Sequence, residues 1–417
     1  MTDTRSPLPD LTRRRFLQGS ALAGAAAFLA ACTGGGTPGT GSAAPSAAAS
    51  ESAAGSAAAS ESAAASAGAT PAQGGELRWA SWIGYIDVND ADQSYPTIKK
   101  FEDETGIKVT YNEKIDGNES FFTTDLQGPL TAGQPTGWDL IVVTDWLVAR
   151  LARLGWLEKI DTSVTPNFVK NLAPNYKARS FDPDTDLAAP WQSGMTGIGF
   201  NKKKTGELDS LEVFFSTQFK GQKTYLDEMR DTVGLAAIKL GYDPASITAQ
   251  QFDDSLAVVK KAIDDKIVRQ VTGNSYVEDM QADSAVMAMA WSGDVLTLLV
   301  PDQKPTQDFQ WRLPKEGGML WTDNMCIPKG APNKGQAERW IDFYYDPINA
   351  ATIEAYVNYV CPVAGAKDEM LKIDKDIAAN PLIFPPDDYV ARLHQFRAVT
   401  AEEETTWAEA FTKAMGL

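Results

Sequence analysis

From residue 77 onward, short apolar runs alternate with stretches whose apolar residues recur every three or four positions, the pattern of strands followed by amphipathic helices. Residues 77–82 predict a strand, 97–105 a helix stopped by Gly106, and 107–111 the next strand. Residues 138–144 predict a buried strand that runs into a helix capped by Asp145, with Leu147, Leu151 and Leu154 facing inward and Gly155 ending it. The second part repeats this grammar. Strands are expected at 194–201, near 224–226 and at 285–291, with a helix over 228–240 ended by Gly241. A further helix turns Phe252, Leu256, Val259 and Ile263 inward, and later helices fall at 335–345 and 350–357. Two α/β lobes with a cleft between them are the simplest arrangement for a folded part of this length.

The pattern is different before residue 75. Arg13-Arg14-Arg15-Phe16-Leu17 precedes an apolar run at 21–31, too short for a stable span, which ends in Leu29-Ala30-Ala31-Cys32. Paired arginines before Phe-Leu resemble the twin-arginine export route, and Leu-Ala-Ala-Cys resembles a lipobox, so Cys32 is the expected lipidation site. Residues 33–74 are almost entirely Gly, Ser, Ala, Thr and Pro, with the unit at 46–54 recurring at 56–64, and nothing there can bury a core. As a tether this segment would reach roughly 35 Å. The expected organisation is a signal peptide at 1–31, a lipidated cysteine and tether at 32–74, one lobe from 75–190 plus 320–360, and the other from 191–319 plus 361–417.

Charge and composition narrow the chemistry. The formal net charge is −17, and loss of residues 1–31, with four arginines and two aspartates, takes it to −19. Nucleic acid is excluded as a partner and a cationic ligand is favoured. A single histidine, His394, and three cysteines leave no set of His and Cys ligands for zinc, and no Gly-x-Ser-x-Gly elbow, His-Glu-x-x-His or phosphate loop is present. No catalytic residue, metal or cofactor is expected. Eleven tryptophans exceed what a core of this size needs, so some belong at a surface or in a cleft. Cys326 and Cys361 are open between a disulfide and two separate thiols.

The order and spacing of Ser81-Trp82-Ile83-Gly84-Tyr85, residues 101–109, Trp138-Asp139-Leu140 and Pro314-Lys315-Glu316-Gly317-Gly318 leading to Trp321-Thr322-Asp323 resemble the spermidine/putrescine-binding proteins of ABC importers. The resemblance runs from residue 77 to about 415. It implies an α/β, two-lobed periplasmic-binding-protein-like fold of type II. It also implies a monomeric extracytoplasmic protein that holds a polyamine in the cleft, delivers it to the permease, and catalyses nothing. Carried over by position, the implied ligand contacts are Trp82, Tyr85, Thr144, Trp146, Glu228, Asp231, Trp291, Trp321, Asp323, Tyr359 and Gln395.

The residue types fit that role on their own terms. A polyamine is a row of ammonium charges joined by methylenes, so its site needs carboxylates at fixed positions with flat apolar faces between them. Glu228 and Asp231 share one face of a first helical turn, but that placement equally suits acids that only complement the helix dipole. Gly84 stands where family members can carry an acid, Ile83 replaces a small hydroxyl, Trp146 replaces a tyrosine, and Glu228 and Asp231 exchange the usual order. A shorter diamine, a longer polyamine, or another cationic or small polar solute therefore stay open, as does a surface-anchored hydrolase built on paired carboxylates.

Overall fold

The computed structural model describes residues 71–416 apart from 90, 116 and 300–302; the expected signal, most of the tether and Cys32 lie outside the described residues. Among the described residues, ten strands form one mixed sheet: β1 Glu76–Trp82, β2 Lys108–Ile115, β3 Leu140–Thr144, β4 Ala188–Asn201, β5 Lys223–Leu226, β6 Gln270–Thr272, β7 Met287–Trp291, β8 Phe309–Arg312, β9 Gly318–Cys326 and β10 Leu393–His394. Their order is β2-β1-β3-β9-β4-β7-β5-β6, with β8 on β4 and β10 on β9. At one end β1 runs parallel to β2 and β3, and at the other β5 runs parallel to β6 and β7. The long antiparallel pair β4 and β9 joins the two ends.

β4 is buried along its whole length because both faces are covered, first in one lobe and then in the other. It begins six residues before the predicted strand. Pro190 lacks an N–H, which reads as a strand breaker, but it sits at a register shift against β9 where a missing donor is tolerated.

Two hydrophobic cores flank this spine. The first occupies both faces of the β1–β3 end. On one side Trp79, Trp191 and Trp340 are fully buried, with ring centroids 5.3 Å apart for Trp79 and Trp191 and 4.8 Å for Trp79 and Trp340. The other side holds Ile141, Val143, Leu147 and Leu151. The second core gathers Phe200, Tyr225, Val233, Phe252 and Val259. Trp407 stacks on Phe252 there at 4.1 Å.

The helices that matter for the site are α1 Pro96–Thr105, α2 Asp145–Leu154, α3 Met229–Lys239, α4 Ala249–Asp264, α5 Lys334–Tyr344, α6 Pro347–Val357 and α7 Ala401–Met415. α1 starts with proline in its first turn and ends where Gly106 takes φ 71°, a left-handed turn that costs glycine little. α7 opens with a capping box, Thr400 with Glu403, and lays Trp407 and Phe411 on the second core.

Three expectations need correction. Thr144, not Asp145, occupies the cap position of α2, and it makes no side-chain capping bond because its hydroxyl is used elsewhere. Leu154, one residue before the Gly155 turn, lies where the core no longer covers the helix and is 44% exposed. Residues 361–384 do not all join the second lobe: Val363, Ala366, Met370 and Ala378 pack in the first core, as Trp191 does, because the turn at Gly365 seats the helix Ala366–Ile373 against α6. The chain returns to the second core with Val399, Trp407 and Phe411. Cys326 and Cys361 are separate thiols, Cys326 fully buried.

Candidate functional site

A cavity of about 1000 Å³ opens between the two cores, where the ends of β1, β3, β7 and the middle of β9 meet the first turns of α2 and α3. One of its buried carboxylates belongs to the spine. Asp323 pairs directly opposite Thr144 across β3 and β9, so the Thr144 hydroxyl donates to it at 2.6 Å; Tyr85 donates at 2.7 Å from the turn after β1. Thr144 is itself oriented by Asn118, whose amide donates to the hydroxyl at 2.8 Å. Asp323 is 4% exposed, and the Thr144 and Tyr85 hydroxyls orient its carboxylate.

A second carboxylate faces the cavity from the other lobe. Thr196 and Trp291 are opposite one another on β4 and β7, and both donate to Asp231 in α3 at 2.8 Å. Burial, helped by the nearby Glu228 charge, raises the Asp231 carboxyl to about 7, against the lowering effects of the bonds from Trp291 and Thr196 and of the Arg230 charge. A third is Asp294, in the turn after β7. It accepts from Asn274 at 2.7 Å and from the Tyr276 hydroxyl at 2.9 Å, and it is 2% exposed. Sequence reasoning misses Asp294. The available signal is positional: it follows the C-terminal end of a buried strand, as Asp231 follows β5.

The walls are aromatic. Trp82 is held by a bond from its indole N–H to the Val142 carbonyl at 3.0 Å. Trp321 and Tyr359 meet edge to face at 5.6 Å, and Tyr359 meets Tyr85 at 5.7 Å. Two glycines make room for these rings: a Cβ on Gly194 would lie 2.1 Å from the Trp321 ring, and one on Gly293 would lie 2.6 Å from Tyr359.

Trp146 and Glu228 also line the cavity, but charged side chains of the protein engage both. Arg150 lies 5.1 Å and Arg230 4.6 Å from the Trp146 ring. Glu228 caps α3, accepting from the Arg230 backbone N–H at 3.2 Å, and pairs with the Arg230 guanidinium at 3.6 Å. Glu404 in α7 completes the group, with Arg150 at 3.1 Å, Arg153 at 2.7 Å and Arg230 at 3.7 Å. Because Arg150 and Arg153 are on α2 and Glu404 is on α7, these ion pairs cross from one lobe to the other.

Ten of the eleven expected contacts thus line one cavity; Gln395 does not, although its neighbour Phe396 does. Among the described residues, no group of three or more His, Cys, Asp and Glu could hold a metal ion, and His394 is paired with Asp243 at 3.0 Å.

Residues 97–385 match the family of bacterial extracellular solute-binding proteins. The chain belongs to that family. Members of the family are solute-binding proteins rather than enzymes, and the place of action is extracytoplasmic. Among the described residues no helix is long and apolar enough to cross a membrane. Within this extracellular solute-binding family, the chain is 28% identical to the putrescine-binding periplasmic protein PotF of Escherichia coli, over 80% of this chain and 89% of that protein. It is 26% identical to the spermidine/putrescine-binding periplasmic protein of the same organism, over 74% and 83%. Its fold is shared with PotD of Streptococcus pneumoniae, with a TM-score of 0.68, 23% identity and coverage of 81% and 98%. A putative spermidine/putrescine ABC transporter protein of Listeria monocytogenes gives 0.66, 28% and the same coverage.

Proposed function

We propose that this solute-binding protein captures a polyamine of the putrescine or spermidine class and hands it to the permease of an ABC importer. The observation that carries this reading is the set of three buried carboxylates, Asp323, Asp231 and Asp294, that line one aromatic-walled cavity. Such a site offers charge to ammonium groups and ring faces to the methylenes between them, each cation–π contact being worth about 0.5 to 2 kcal/mol. The names of the relatives point the same way. The binding residues in this reading are Trp82, Tyr85, Thr144, Asp231, Trp291, Trp321, Asp323 and Tyr359, with Asp294 added, and closure of two lobes about the β4–β9 spine would enclose the ligand. Ferric iron is disfavoured because Tyr344 and Tyr345 spend their hydroxyls on the Trp191 and Pro190 carbonyls, at 2.6 and 2.7 Å, inside the first core.

A melting screen of the mature protein against putrescine, spermidine, spermine, sugars and ferric citrate tests the proposal. A ligand at one hundred times its dissociation constant adds about 2.7 kcal/mol of stability. A clear upward shift is expected with an amine. Stabilisation by a sugar or by iron alone would overturn the polyamine reading.

The Asp231 carboxyl gives the binding a pH dependence. Its folded value near 7 exceeds the ordinary carboxylate value of about 4. In the empty protein the proton is therefore held more tightly than in the unfolded chain, and the stability this contributes is full below about pH 4 and lost as pH rises through about 7. An ammonium ligand selects the ionised form, so its binding expels the proton. Affinity is expected to be level above about pH 8 and to fall by up to about tenfold per unit below 7, with Asp231→Asn flattening the profile. Titration calorimetry between pH 5.5 and 8.5 checks this, and a level profile in the parent would contradict it.

The protein in this reading is a monomer, exported by the twin-arginine route and held at the outer face of the membrane by lipid on Cys32, with residues 33–74 as its leash. Cys32→Ala is expected to appear in the soluble extracytoplasmic fraction or to keep its signal peptide. Normal incorporation of labelled lipid by that variant would rule out Cys32 as the anchor.

A further inference from the structure

We infer that Glu404 is a positioning residue for capture and release: it ties the two lobes together through Arg150 and Arg153, so that part of the grip on a bound solute comes from the protein's own ion pairs across the cleft. The inference rests on the solute-capture reading above and adds to it what holds the cleft shut.

Each side of the contact is anchored in its own core. Arg150 and Arg153 project from α2, whose Leu147 and Leu151 are buried in the first lobe, and Arg150 also lies 4.7 Å from the Phe122 ring there. Glu404 projects from α7, whose Trp407 and Phe411 are buried in the second core. A rotation of one lobe on the other therefore makes or breaks the contact.

The geometry is stronger than that of a chance surface pair. Arg150 meets one Glu404 oxygen with Nε at 3.2 Å and with a terminal nitrogen at 3.1 Å, while Arg153 takes the other oxygen at 2.7 Å. Arg153 also donates to the Val399 carbonyl of the second lobe at 3.0 Å. In the reverse direction, Arg230 of the second lobe lies 4.6 Å from the Trp146 ring of the first. The Glu404 side chain is 13% exposed and that of Arg150 16%. Charge-assisted bonds in a partly buried network hold better than isolated exposed pairs. Opening the cleft would break these contacts together and leave Glu119 with Arg150, at 2.8 Å, and Glu228 with Arg230, at 3.6 Å, inside their own lobes. Because the contacts join protein to protein, they favour the closed arrangement with or without a solute and slow the escape of any ligand the cleft accepts.

The test compares the mature protein with Glu404→Gln, Arg153→Gln and the double variant. Without ligand, small-angle scattering is expected to give Glu404→Gln a larger radius of gyration than the parent. With putrescine and spermidine, stopped-flow fluorescence is expected to show dissociation about tenfold faster in Glu404→Gln, by a similar factor for both amines, with association nearly unchanged. The double variant is expected to fall short of the product of the two single effects, because both substitutions break one contact. Should Glu404→Gln fail to fold, Arg153→Gln removes the pair from the other lobe and is read by the same radius and rate. A variant that melts early but keeps the parent's radius and dissociation rate would make Glu404 an anchor of α7 alone and overturn the inference, as would effects that multiply fully in the double variant. A parent that binds neither amine overturns the polyamine reading, and the scattering comparison then decides the closing role by itself.

Discussion

Asp323→Asn is expected to weaken amine binding by about 2 to 5 kcal/mol while leaving the empty protein as stable as the parent or slightly more so. The carboxylate sits on β9 opposite Thr144, with hydroxyl donors at 2.6 and 2.7 Å and 4% exposure, so an ammonium placed there loses most of its solvent and depends on this charge. Asparagine keeps the shape. Its carbonyl can still accept from Tyr85, and its amide can donate to the Thr144 oxygen, so the fold loses little. Relief of repulsion among the cleft carboxylates works in the stabilising direction when no cation is present. Melting temperature and affinity measured on one preparation separate this outcome from a structural role, in which the variant melts early and binds with near-parental affinity.

Gly194→Ala is expected to damage both the fold and the site. The added Cβ would fall 2.1 Å from one Trp321 ring carbon and 2.6 Å from two others, well inside any real contact. Trp321 is a wall of the cavity and is set against Tyr359, so it has to swing away or β4 and β9 have to part. Overpacking of this kind costs about 1 to 3 kcal/mol of stability. Displacing the wall also removes a cation–π partner, worth a further loss of about 0.5 to 2 kcal/mol in amine affinity. Unchanged melting together with unchanged binding would show that the ring does not lie over Gly194.

The strand ends and their ring-bearing residues are the legible part of this molecule. Period-two and continuous apolar runs mark β1, β3 and β7, and Trp82, Thr144 and Trp291 follow from where those runs stop. Trp321 and Asp323 are legible as residues two apart on an extended strand, which share a face. What escapes is what depends on partners distant in the chain. Nothing local marks Trp191 and Trp340 as core rather than cavity residues. Glu228 looks the same as Asp231 in sequence, yet one caps α3 and pairs with Arg230 while the other is buried with neutral donors. The group of Trp146, Arg150, Arg230 and Glu404 draws on three helices and has no signature in any of them. Asp294 is hidden for a simpler reason: a lone acid in a short turn resembles every other surface acid until Asn274 and Tyr276 are seen to close around it.

The central claim, that the cavity between the lobes binds a polyamine through Asp323, is tested most directly by a crystal structure of the mature protein grown with saturating putrescine. One ammonium should lie within hydrogen-bonding distance of the Asp323 carboxylate, at about 2.7 to 3.2 Å, with the methylene chain against Trp321 and Tyr359. Putrescine bound elsewhere, or a cavity holding no amine at saturation, would contradict the account.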